Sequence, residues 1–184
     1  MEFSVIGWPV SFNVRCPSCD GLAIFDEPFS FLSSRRDETP PHGLPAHEWG
    51  GWLVVEKYPN LLPWKAPYGS HQTIVFSEPH ARNGEYVYHH TGVVRCGECF
   101  WSGVHKLNWP ADAYYRWEIR GHVLWAWSAE HARALLEYIG SKHREAGDSP
   151  YARNLIRLPK EFLDAKVREI IVKRIRATLV RVSA

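Results

Sequence analysis

Apolar positions in the first two-thirds of the chain come in short runs bounded by Gly, Pro, Asp and Asn, the pattern of β-strands. Residues 10–15 (VSFNVR), 22–25 and 29–32 each predict a strand, with Asp26-Glu27-Pro28 as the bend between the last two. Residues 33–51 are polar, with three Pro and three Gly, and predict a long loop. WLVVEK at 52–57 predicts the next strand, and residues 58–70, with three Pro, an irregular segment. Further strands are predicted over 73–76, 85–90, 93–95 and 100–106, with a turn at Arg82-Asn83-Gly84-Glu85. Residues 114–119 and 122–127 alternate about Arg120-Gly121, which reads as a two-residue hairpin.

From Ser128 the period changes. Ala132, Leu135, Leu136 and Ile139 lie at helical spacing, predicting a helix over 129–144 with Ser128 as its N-cap, ended by residues 145–149 and Pro150. A second long helix follows, with Pro159 in its first turn and Leu163, Val167, Ile170, Ile171 and Ile175 as its stripe. Residues 177–182 fit either its last turn or a short strand. The expected fold class is α+β: a zinc-clipped, mainly antiparallel β domain over 1–127, then two or three C-terminal helices over 128–184 packed on the same core.

Composition adds two points. A hydrophobic fraction of 45% with 23% charged residues excludes a disordered chain. Nine Trp beside one Met imply a rigid interior, with any exposed Trp free to stack on bases or sugars. No basic leader is evident at the start, and no run approaches the roughly 20 apolar residues of a membrane span. The expectation is a cytoplasmic protein with no membrane partner.

The four cysteines carry the clearest chemistry. Val14-Arg15-Cys16-Pro17-Ser18-Cys19 is echoed by Val94-Arg95-Cys96-Gly97-Glu98-Cys99. Two residues between cysteines let the backbone turn so that both sulfurs reach one metal, and Pro17 or Gly97 suits that turn. In a reducing compartment such pairs favour metal over disulfides. Cys16, Cys19, Cys96 and Cys99 are therefore the expected ligands of one structural Zn2+, closed and non-catalytic. The hairpins resemble those of zinc-ribbon and zinc-knuckle proteins, a resemblance that implies a fold element and no particular activity. Here 76 residues separate the pairs, so the metal would close a long loop.

Charge is unevenly placed. Residues 1–50 carry a net −4, residues 51–150 cancel, and residues 151–184 carry +6. On the last helix Lys166, Lys173 and Arg176 share a face that suits a phosphate backbone. Arg116 and Arg120 interleave with Trp109, Tyr114, Tyr115 and Trp117 in a pattern suited to base stacking. His42, His47 and Glu48 lack the helical H-E-x-x-H spacing, and His89 and His90 alternate across a strand. His131 and His143 read as surface or packing residues. No nucleophile elbow, phosphate-binding loop or dinucleotide fingerprint occurs, so no catalytic residue is assigned. The leading expectation is a non-enzymatic nucleic-acid-binding or regulatory protein acting through its basic C-terminal helix. The alternatives are a module that docks a protein partner or a second copy of itself, using residues 33–51 and the last helix, and a small enzyme with a structural zinc.

Overall fold

A computed structural model describes residues 11–33, 41–49, 52–65 and 91–183. The elements are β1 (Ser11–Arg15), β2 (Leu22–Asp26), β3 (Phe29–Ser33), β4 (Ala46–Trp49), β5 (Trp52–Glu56), β6 (Thr91–Cys96), β7 (Ser102–Lys106), β8 (Tyr115–Ile119) and β9 (His122–Ala126). The helices α1 (Ala129–Gly140), α2 (Ala152–Leu155), α3 (Lys160–Leu163) and α4 (Ala165–Ser183) follow. Antiparallel sheets succeeded by helices make the fold α+β. The strands expected over 73–76 and 85–90, with His89 and His90, lie outside the described residues.

The described residues form two compact units. The first holds those up to Asn108 except Asn13–Arg15, and the second holds Asn13–Arg15 with the residues from Trp109 onward.

In the first unit β2, β6 and β7 are neighbours in one sheet, in that order, and another sheet has the order β3-β5-β4. Alternation sets the faces: Phe25 and Val94 are register partners and both fully buried, and the Phe12 ring lies 5.0 Å from that of Phe25. Strand β4 falls in the segment expected to be loop. Its sequence AHEW has no apolar alternation because three of its four residues are exposed, so only its ladder to β5 reveals it. An edge strand needs no buried face when its neighbour supplies the hydrogen bonds.

In the second unit β8 and β9 form the expected hairpin, with Arg120 at φ 50° and Gly121 at φ 84°. Both central residues in the left-handed region make the tight turn whose twist matches the strands. The hairpin lies in the same compact unit as the helices. Its apolar positions explain why: Trp117 is buried and its Nε1–H donates to Thr178 Oγ1 of α4 at 3.0 Å, while Leu124 is buried alongside. Val167, Ile171 and Ile175 of α4 and Leu135 and Ile139 of α1 complete this core.

Helix α1 starts as expected. Ser128 Oγ accepts the His131 N–H at 3.2 Å and also contacts the Tyr151 hydroxyl at 3.2 Å. Ser128→Ala should cost about 1 kcal/mol in urea unfolding; an unchanged midpoint would show the cap to be idle. The helix stops at Gly140, earlier than expected, because Ser141 turns extended while its N–H still bonds to Glu137 O. The expected second long helix is broken. Asp164 is extended at ψ 134°, and its Oδ1 accepts the Lys166 N–H at 2.9 Å, so it ends α3 and caps α4. Residues 177–182 continue α4, and the short α2 brings the helices to four. Phe162, not Leu163, is the buried residue of α3, and Ile170 is exposed.

Candidate metal centre

Each cysteine pair sits in the connection leaving a strand, and the two connections have the same backbone plan. Cys16 N–H donates to Gly21 O at 2.8 Å, and Cys96 N–H donates to Trp101 O at 2.9 Å, five residues on in both cases. Inside these turns the Ser18 N–H points at Cys16 Sγ (3.4 Å) and the Cys99 N–H at Cys96 Sγ (3.5 Å). The residue after each second cysteine is left-handed, Asp20 at φ 58° and Phe100 at φ 60°. That conformation costs a non-glycine residue about 1–2 kcal/mol, so its recurrence in both turns marks one imposed geometry.

The β2–β6 ladder brings the turns together by setting Ala23 opposite Cys96. Across the gap the Leu22 N–H donates to Glu98 Oε1 at 3.1 Å. A Cβ at Gly21 would lie 2.2 Å from Glu98 Oε2, so this approach of the two turns requires glycine there or a displaced Glu98.

The four sulfurs converge. Cys16 and Cys99 are 3.6 Å apart, Cys19 and Cys96 3.7 Å, and all four lie within 4.8 Å of one another. A disulfide needs about 2.05 Å, and all four cysteines are free. Metal–sulfur bonds of about 2.3 Å in a tetrahedron place sulfurs about 3.8 Å apart, so the donor set fits a four-thiolate metal site. Cys16 and Cys96 are buried, Cys19 and Cys99 exposed. The thiols respond unequally to their crowding. Amide N–H groups of Cys99 and Glu98 pull Cys96 down to about 7. At Cys19 the Gly21 amide acts downward, but hydrogen bonding with the neighbouring thiols, Cys99 first, pushes it up to about 12. Ionising all four sulfurs this close together would need a cation among them.

Behind the second turn, Arg95 donates to Asp26 Oδ2 at 2.8 Å and lies over the Tyr58 ring, whose hydroxyl donates to the same oxygen at 2.6 Å. Burial alone would raise the Asp26 carboxyl; the bonds from Tyr58, Ser11 and Arg95 overcome it and hold the group below its ordinary range. The first turn's Arg15 donates instead to Ala111 O at 2.5 Å.

The remaining candidates separate clearly. Among the described residues no second group of three or more His, Cys, Asp or Glu side chains is arranged to hold a metal. His47 instead bonds through Nε2 to the buried Glu56 Oε1 at 2.7 Å, which also accepts the Trp64 N–H at 3.0 Å. That pairing across β4 and β5 was not legible while β4 read as loop. Lys166, Lys173 and Arg176 are exposed along α4, and Arg120 is exposed in its turn. Arg116 is half-buried and its charge is met by Glu118 at 2.8 Å. The aromatics interleaved with these arginines are mainly core: Tyr115 and Trp117 are buried, Tyr114 and Trp109 half-buried. His131, expected to be a surface or packing residue, is 2% exposed. Its Nδ1 accepts the Trp127 N–H at 3.2 Å and its ring stacks on Tyr151 at 4.5 Å.

The class defined by this geometry is an α+β protein with a four-cysteine cluster able to bind a metal. No family model, curated protein or solved structure matches the chain. Among the described residues, no helix is long and apolar enough to cross a membrane.

Proposed function

We propose that this is a non-enzymatic nucleic-acid-binding protein whose cysteine cluster holds one structural zinc ion and whose α4 contacts the phosphate backbone. Zinc suits four thiolates with no open position, and such a site organises the first unit without performing chemistry. A thiolate zinc centre and free cysteines fit a reducing compartment such as the cytoplasm.

One observation carries the nucleic-acid reading. Helix α4 exposes Lys166, Lys173, Arg174, Arg176 and Arg181 and contains a single acidic residue, Glu169. A phosphate backbone is the extended anion that such a row suits, through release of condensed counterions. Fluorescence anisotropy with single- and double-stranded oligonucleotides tests it. Affinity should fall steeply with salt, and the combined Lys166→Glu, Lys173→Glu and Arg176→Glu variant should bind about 100-fold more weakly or worse. Arg116→Glu should change little, since Glu118 already meets that charge. Absence of binding at low ionic strength would end this reading.

A second reading rests on Ile170 and Val180, which α4 exposes at 42% and 68%. They suit a protein partner or a second copy of the chain. A dimer in sedimentation that persists in the triple variant and is lost in Ile170→Glu would favour it.

A further inference from the structure

The second cysteine turn carries the most exposed large apolar side chain among the described residues: Phe100 is 86% exposed. Its backbone is left-handed, at φ 60°, an outlier conformation for a bulky residue. The turn does not call for an aromatic there. The first turn follows the same hydrogen-bonding plan and has Asp20 in this place, at φ 58°. The next residue shows what packing would look like: the Trp101 ring lies against Gly103, where a Cβ would come within 2.8 Å of it. Phe100 thus burdens the fold twice, through its backbone and through its exposure. A strained, exposed aromatic on a hydrogen-bonded turn points to a contact made outside the chain.

The surroundings of Phe100 select the charge of that contact. Residues 16–22 and 96–104 contain Asp20 and Glu98, both exposed, and no Lys or Arg. A divalent ion held by four thiolates would add net negative charge beside them. Arg15 and Arg95, which precede the turns, donate to Ala111 O and to Asp26. An aromatic tip with an anionic rim repels a phosphate backbone and suits an apolar surface set among cations. Helix α4 is such a surface. At about 3.6 residues per turn, Ile170 and Val180 fall on one face with Lys166 and Lys173, with Arg176 and Arg181 at its margins, and all six are exposed.

We propose that the Phe100 tip docks on α4 of a second copy of the chain. Phe100 packs on Ile170 and Val180, and Asp20 and Glu98 face the lysines of the helix. The contact joins two different surfaces, so a closed dimer makes it twice, each copy giving its tip and its helix. The proposal rests on the docking role of Ile170 and Val180 and adds the surface that meets them.

Sedimentation velocity of the full-length protein tests it. The parent should associate reversibly at low ionic strength and more weakly as salt rises. Phe100→Gly should weaken association at least about tenfold. Its thermal midpoint should equal or exceed the parent's, because glycine adopts φ 60° without strain. A side chain that the fold needs would lower that midpoint instead. Ile170→Glu, on the exposed face of α4, should weaken association to a similar extent. The two variants keep complementary halves of the contact, so their mixture should associate where neither does alone. A parent that stays monomeric at low salt, a dimer that survives Phe100→Gly, or a mixture that does not associate would overturn the proposal. Oligonucleotide anisotropy on Phe100→Gly, whose basic face is intact, reads the phosphate contact separately, so either proposal can fail alone.

Discussion

Cys96→Ser should abolish metal binding and the cooperative unfolding of the first unit. Cys96 is both a ligand in the proposed centre and the register partner of Ala23 where β2 meets β6. A serine oxygen in place of one sulfur leaves three thiolates and an open position, a poor zinc site. The loss is large because of what the centre closes. With 76 residues between Cys19 and Cys96, a crosslink of this span removes about 4–5 kcal/mol of chain entropy from the unfolded state. Zinc adds its own binding free energy to the folded state, since the ligands converge only there. Elemental analysis of the parent should give one zinc per chain, and chelation should reproduce the effect of the substitution. A Cys96→Ser protein with the parent's metal content and melting temperature would refute the whole reading of the centre.

Acid should destabilise the second unit through His131. Burial lowers this imidazole to about 4, whereas an unfolded histidine titrates near 6.5. The folded state therefore resists the proton that the unfolded state takes up. The stability from keeping His131 neutral is complete above about pH 6.5 and is lost as pH falls toward 4. At pH 5 the loss is about 2 kcal/mol, approaching about 3 kcal/mol below pH 4. His131→Gln keeps an acceptor for the Trp127 N–H but cannot titrate. It should be less stable at neutral pH and should lack this share of the acid sensitivity in urea unfolding followed by tryptophan fluorescence. If parent and variant lose stability in parallel between pH 6.5 and 4.5, His131 is not the cause. The first unit holds a group of opposite sense. Burial pushes Glu27 up to about 7, against the pull of Lys57, so its contribution is present at low pH and lost as pH rises through 7.

The cysteine centre was legible because its information is local. Two Val-Arg-Cys-x-x-Cys segments announce two similar turns, and four cysteines so arranged could hold one metal ion. Strands β2, β3, β5 and β9 were legible for the same kind of reason: each alternates or runs apolar between turn residues. The Arg120-Gly121 turn and the Ser128 cap are likewise set by side chains within a few residues of where they act. Strand β4 was not legible, because an exposed edge strand is specified by its neighbour's ladder. The break at Asp164 was missed because its carboxylate cap interrupts a stripe that otherwise runs on from Leu163 to Ile175.

The sequence by itself therefore determined the α+β class, the four sulfurs and the basic character of the last helix, since each follows from composition and spacing along the chain. Only the tertiary structure decided that the sulfurs stand 3.6–3.7 Å apart in pairs, that the aromatics among Arg116 and Arg120 are mainly core, and that His131 is buried. Those are matters of burial and register between segments far apart in the chain. Burial depends on which surfaces meet, and no local pattern of residue types records that.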